Sequence, residues 1–235
     1  MPSRRTHKQV FLGGDGIVAN ARSGQILVDH STVEPSLSQR IAEAAILKGA
    51  RFLDAPVSGL AERAAQGNLS IMVGGEQPAY EETLPLFQAM GSSVAHVGAS
   101  GMGNVFKLVN NAVGITNVAV AAEGFNLGVR LGADPQMLLD VLSKGTAQSF
   151  GLEAISPSLM SRNFSIDGSP VMRLFLKDMN LVRQVAAEAG ALIPTSEVTL
   201  ELFERVSNTW PDVTNPAGVV LALEQGNRNE QTQEP

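Results

Sequence analysis

Gly101-Met-Gly-Asn-Val-Phe-Lys107-Leu-Val-Asn-Asn111 is the stretch whose reading decides the fold. It opens a proline-free run over residues 104–131 that stops at Gly132. Such a run predicts one long helix of about 40 Å. Residues three and four apart share a helix face, so Gly103, Lys107, Asn110, Asn111, Gly114 and Asn117 fall in one small, polar stripe. Val105, Phe106, Leu108, Val109, Val113, Ile115, Val118 and Val120 make the rest apolar. Two readings of Lys107 stand level on these residues. A desolvated ammonium loses proton affinity and can act as a general acid near neutral pH, with an asparagine one turn away holding a substrate oxygen. A lysine can equally snorkel from an apolar helix and do no more than solubilise it.

The bulk composition bounds the rest. With 235 residues, 44% of them hydrophobic, the chain can bury one large core or two smaller ones. A formal charge of -6 argues against nucleic acid, because phosphate binding calls for a basic surface. There are no cysteines, which excludes disulfides and thiolate metal sites and suits a cytoplasmic protein. His7, His30 and His96 are scattered without metal-ligand spacing, so no metal is expected. Lys107, Asn111, Glu123 and Arg130 interrupt the longest apolar stretch, and on that ground no membrane span is expected. The basic, polar residues 1–9 lack the apolar core of a secretory signal.

Taken in order, the first hundred residues alternate between strand and helix patterns. Residues 25–30, 51–55, 69–73 and 93–97 read as strands, and residues 35–48 and 78–90 as helices, the second one kinked at Pro85. This is the rhythm of an α/β sheet. After Gly101 every pattern is helical: the long run, then Asp134-Pro135 as an N-cap with proline at the first helical position, a helix to Lys144, and helices at 151–160, 171–189, 195–207 and 217–224.

The motifs now carry a family resemblance. Asp54-Ala-Pro-Val-Ser-Gly59, Gly67-Asn-Leu-Ser-Ile-Met-Val-Gly-Gly75, Gly101-Met-Gly with Lys107-Leu-Val-Asn-Asn111, and Phe175-Leu-Lys-Asp178 follow one another in the order of the β-hydroxyacid dehydrogenases. The chain resembles that family, which includes 3-hydroxyisobutyrate dehydrogenase and tartronate semialdehyde reductase, from about Val10 to Leu223. The resemblance implies an α/β partial Rossmann-type sheet followed by an all-α, 6-phosphogluconate-dehydrogenase-like C-terminal domain. The expected division is a shortened NAD(P)-binding domain at 1–98, a helical catalytic and dimerisation domain at 99–224, and a disordered polar tail at 225–235. It implies hydride transfer between NAD or NADP and a small 3-hydroxy acid or semialdehyde, with Lys107 as the catalytic acid or base. Ser58, Gly59 and Asn111 would bind the substrate and its carboxylate, while Thr32 and Lys177 would lie by the nicotinamide end of the cofactor. A homodimer or higher homo-oligomer is expected through the helical domain.

Each of these residues also has a plainer reading. Ser31 or Thr32 would cap the helix that begins near Pro35, Lys177 and Asp178 would form an exposed helical pair, and Ser58-Gly59 would be an ordinary turn. The chain departs from the family as well. The glycine expected after Gly59 is Leu60, and a later glycine position is Arg63, which bears on substrate choice. No G-x-G-x-x-G follows a strand, and Gly98-x-x-Gly101-x-Gly103 opens the long helix, not a first βα turn. The pyrophosphate-binding turn belongs ahead of Val10 in the family. Its lack would leave the strand at 25–30 as a sheet edge and weaken dinucleotide binding. A misassigned or truncated start, an inactive shortened paralogue and a fragment completed by a partner would each account for this. The leading expectation is an NAD(P)-dependent oxidoreductase; the alternative is a catalytically inactive, dimerising interaction module.

Overall fold

The computed structural model describes residues 4–165 and 171–225, and the chain divides into two compact units, Met1–Val109 and Asn110–Pro235. The polar tail expected at 225–235 lies outside the described residues except for Gln225.

The first unit is built on a mixed sheet. Helix α1 (Arg4–Leu12) precedes β1 (Ile26–Asp29), α2 (Pro35–Ile46) and β2 (Arg51–Asp54). Strand β3 (Val57–Ser58), α3 (Leu60–Ala65), β4 (Ser70–Gly75), α4 (Gln77–Met90) and β5 (Ser93–Gly98) complete it. β1 pairs parallel with β2, and β4 pairs parallel with β5. β2 and β3 both pair antiparallel with β4 in one register, Leu53↔Gly75 and Asp54↔Gly74 continuing as Val57↔Ile71 and Ser58↔Ser70. They are therefore one strand line interrupted at Ala55-Pro56. Proline has no N–H to give the ladder, but the Pro56 carbonyl still accepts from Met72 N at 3.1 Å. Phe52 and Leu53 are neighbours on β2 and so face opposite sides of the sheet. Phe52 packs with Phe11, Leu27, Leu37 and Ile41 beneath α1 and α2, while Leu53 packs with Ile71, Val73, Ala79 and Phe87 beneath α4.

The sequence reading needs three additions here. Residues 1–9 read only as basic and polar, yet residues 4–12 form α1, because His7 and Phe11 lie one turn apart and both are buried. The His7 ring nitrogen Nε2 lies 2.8 Å from Asp29 Oδ2, and the Phe11 ring meets Phe52 edge-on. β3 has two residues and α3 six, too short to leave a periodic pattern.

Helix α5 (Met102–Arg130) is the long helix expected from residue 104. The second unit adds α6 (Pro135–Leu142), α7 (Phe150–Ser161), α8 (Val171–Ala189), α9 (Pro194–Thr209), a 3-10 turn at Pro216–Gly218 and α10 (Val219–Gln225). Asp134 caps α6 by accepting from Met137 N at 2.8 Å. Ser149 caps α7 by accepting from Leu152 N at 3.1 Å, which starts that helix one residue before the expected Gly151. At the other end of α7, Arg162 adopts left-handed backbone and donates to both carboxylate oxygens of Glu224 at 2.6 and 2.8 Å, which holds the guanidinium charged. Ile115, Val118, Ala119, Ala122 and Phe125 of α5 form the centre of the helical core with Leu152, Ile155, Met179, Leu200 and Phe203.

By length and hydropathy α5 is apolar enough to cross a membrane, contrary to the sequence reading that interruptions rule this out. Its Ile115, Val118, Ala119 and Ala122 are packed on the other helices of its unit, and a third of its apolar window is buried.

Candidate active site

Lys107 sits on the second turn of α5 and is buried, at 8% exposure. Its position depends on how α5 begins. Asp54, at the end of β2 and fully buried, accepts from Gly101 N at 2.7 Å through Oδ1 and from Asn104 N at 2.9 Å through Oδ2. A carboxylate at a helix start satisfies amides that have no intrahelical partner and lies favourably in the helix dipole. Burial raises the Asp54 pKa above the ordinary carboxylate value, and the two amide hydrogen bonds oppose that rise.

The side chain of Asn104, also fully buried, reaches the other way. Its Oδ1 accepts from Val33 N at 3.0 Å, and its Nδ2 donates to Ser38 Oγ at 3.1 Å. Thr32 is thus held on both sides, because Ser31 N donates to Asp29 Oδ1 at 2.9 Å and Val33 N to Asn104. The N-cap residue of α2 is Glu34, not the Ser31 or Thr32 that the sequence also allowed.

Ser58 ends β3 and is half-buried, and Gly59 follows with φ +141°. A side chain at Gly59 would meet Arg63 Cβ at 2.9 Å and Cδ at 3.1 Å, so backbone conformation and contact both require glycine. Leu60, where the family has a second glycine, takes φ +57° and is half-exposed. It adopts the left-handed region at a cost of roughly 1–2 kcal/mol. The Arg63 stem packs against Gly59.

In the helical unit Asn111 lies one turn beyond Lys107 along α5. Its Nδ2 donates to Asp178 Oδ2 at 2.7 Å, and Asp178 Oδ1 lies 2.8 Å from Lys177 Nζ. Asp178 is buried and, when ionised, can only accept, so it fixes which way the Asn111 amide faces. The pair Lys177 and Asp178 is therefore not a solvated helical pair. The structure links Thr32 to the helix of Lys107 through Asn104, and Asn111 to Lys177 through Asp178. Ser58 and Gly59 come from a separate strand. Asp54, Asn104 and Asp178 were quoted in the motifs without a role, because short polar residues beside a ligand-type residue carry no signal of burial.

The sheet unit offers a place for the nicotinamide end of a cofactor. The loop carrying Thr32 is held rigidly at a strand end, which suits the nicotinamide. A pyrophosphate calls for an unoccupied helix N-terminus. Asp54 occupies the start of α5, whereas Glu34 and Glu76, the N-cap residues of α2 and α4, make no side-chain capping hydrogen bond. Among the described residues no group of three or more acidic or histidine side chains is placed to hold a metal ion. Two open, largely apolar grooves of about 350 and 320 Å³ lie beside α9, and none of the candidate site residues lines them.

Comparison with known proteins bears on both units. A family described as the NAD binding domain of 6-phosphogluconate dehydrogenase matches residues 1–98, and one described as the NAD-binding domain of NADP-dependent 3-hydroxyisobutyrate dehydrogenase matches 101–217. The chain is 32% identical over 205 residues to 2-(hydroxymethyl)glutarate dehydrogenase of Eubacterium barkeri, covering 87% of this chain and 67% of that one. It is 31% identical to the NAD-dependent L-serine dehydrogenase of Pseudomonas aeruginosa, covering 86% and 70%. For the mitochondrial 3-hydroxyisobutyrate dehydrogenase of Mus musculus, at 36% identity, the match spans 86% of this chain and 62% of that protein. The solved structure of Mycobacterium tuberculosis 3-hydroxyisobutyrate dehydrogenase with L-serine superposes with a TM-score of 0.83 at 26% identity, over 95% of this chain and 77% of that one.

Proposed function

The chain belongs to the β-hydroxyacid dehydrogenase family of NAD(P)-dependent oxidoreductases, and from that premise we propose that Lys107 is its general acid and base, acting on a small 3-hydroxy acid or the matching semialdehyde. The cofactor, when bound, exchanges a hydride with the carbon that bears the substrate oxygen. Lys107 takes the hydroxyl proton in oxidation and returns it in reduction. Asn111, one turn along the same helix, holds that oxygen with the amide group that Asp178 orients. Ser58 and the Gly59 backbone receive the carboxylate, and Thr32 and Lys177 serve the nicotinamide end. The observation that carries the reading is a buried lysine on the rigidly anchored start of α5, one turn from an amide fixed by a buried carboxylate. The comparisons lend no support to an inactive interaction module.

The substrates named for the relatives define the assay: 3-hydroxyisobutyrate, L-serine and 2-(hydroxymethyl)glutarate, each with saturating NAD or NADP, followed by absorbance of the reduced cofactor. Lys107→Ala lowers turnover by at least ~100-fold, the usual scale of general acid catalysis. Lys107→Arg does not restore it, because a guanidinium keeps its proton. A folded Lys107→Ala protein with most of its turnover removes Lys107 from the mechanism.

We also propose self-association through the helical unit. On α5, Val113, Val120 and Leu127 recur every seven residues and are each 58% exposed, and Val198 on α9 is equally open. A seven-residue apolar stripe is the seam by which helices pair, and a second copy presents the same stripe. The absence of cysteine suits a cytoplasmic location, which we propose with it.

A further inference from the structure

We infer that Asn104 is a positioning residue, one that sets the separation between the Thr32 loop and Lys107. The inference rests on the roles proposed above for those two residues. Three observations within the sheet unit carry it. Asn104 is fully buried, and each polar group of its side chain has a partner on a different segment: Val33 N on the loop after β1 and Ser38 Oγ on α2. Its own amide is bound by Asp54, which also binds Gly101 N, so the helix turn that carries Asn104 is fastened to the end of β2. Finally, Asn104 lies three residues before Lys107 on α5 and accepts from the residue that directly follows Thr32. One residue thus ties the loop at the nicotinamide end to the helix turn that precedes the proton-transferring lysine.

The chemistry gives this link its importance. Transfer requires the reacting atoms to approach within about 3–3.5 Å, and a displacement of about 1 Å costs on the order of 100-fold in rate. Loops at strand ends have no such fixity of their own. The amide of Val33 lies in no strand ladder, and Asn104 Oδ1 supplies its hydrogen bond. The requirement for asparagine follows from the two partners. Leucine fills the space with neither group, and serine is too short to reach both.

The test reads the loop and the lysine directly. In Asn104→Ala, hydrogen exchange at the Val33 amide accelerates by at least ~50-fold while the amides of Leu53 and Val73 keep their protection. The NMR signals of Thr32 and of the Lys107 side chain shift or double. Ser38→Ala removes one of the two anchors with little risk to folding; it accelerates Val33 exchange by a few-fold and leaves the Lys107 signals in place. With substrate, Asn104→Ala lowers kcat by at least ~30-fold and changes KM for the acid by less than ~3-fold, whereas a merely structural loss acts through the fraction folded. The inference is overturned if Val33 stays protected in Asn104→Ala, or if in that variant Val33 is released while the Thr32 and Lys107 signals stay unmoved. Should Asn104→Ala not fold, unaltered Val33 exchange in Ser38→Ala overturns it instead. The exchange and NMR readouts involve no substrate, so an active Lys107→Ala would sink the catalytic reading without touching this one.

Discussion

Gly103→Ala sets two effects of opposite sign against each other. Helix propensity alone favours alanine by up to about 1 kcal/mol. Gly103 lies in the first turn of α5, where a Cβ would stand 2.5 Å from the Asp54 carbonyl oxygen, 2.5 Å from the Met72 carbonyl oxygen and 2.9 Å from Asp54 Oδ2. The first two are backbone atoms of β2 and β4, which cannot swing aside as a side-chain tip does. Overpacking of this kind costs about 1–3 kcal/mol, occasionally more, and relief requires moving the helix start away from Asp54. A net loss of about 2 kcal/mol lowers the melting temperature by about 4–8 °C in a chain of this size. Gly124→Ala in the same helix is the control, because nothing lies within 4 Å of its Cβ position and the residue is exposed. It raises the melting temperature by about 2–4 °C. Calorimetry of both variants against the parent gives the two signs. A Gly103→Ala protein as stable as the parent would show that the sheet and α5 do not meet as closely as described, and the anchoring of Lys107 would lose its basis.

Three further outcomes are expected. Asp54 has a folded-state pKa above its unfolded value, so its contribution to stability is fullest below the ordinary carboxylate pKa and declines as pH rises through the raised one. Asp54→Asn has no such titration, and its stability deficit relative to the parent shrinks as pH rises above the ordinary carboxylate value of about 4; a deficit that widens with rising pH contradicts the sign. Val113→Glu with Val120→Glu places two charges on the exposed stripe of α5 and lowers the mass seen by light scattering to that of a monomer without lowering the melting temperature. A parent protein that is already monomeric at high concentration removes the proposed seam. The 235-residue polypeptide binds NADPH only in the millimolar range, about 4 kcal/mol of binding free energy, because no G-x-G-x-x-G turn follows a strand in its sequence to receive the pyrophosphate. Micromolar binding in a fluorescence titration shows that another part of the chain recognises the phosphates.

Much of the site was legible because it lies in contiguous motifs. Gly101 to Asn111 gave the long helix and put Lys107 and Asn111 on one face, since helical spacing is a local property of the chain. The caps at Asp134 and the order of strands and helices followed in the same way from local chemistry. The sequence also showed leucine at position 60, but only φ +57° shows that it adopts left-handed backbone.

What tertiary structure decided is what no local pattern encodes. His7 and Asp29 are 22 residues apart and share a buried hydrogen bond. Val33 and Asn104 are 71 apart, and Asn111 and Asp178 are 67 apart. An asparagine or aspartate reads alike in sequence whether it is solvated, capping a turn or buried between segments, because its propensity is set by neighbours a few residues away and its burial by chain from elsewhere. The sequence by itself therefore determined the family, the helix and the place of the candidate lysine on it, while the fold decided which polar side chains pair with one another across distant segments.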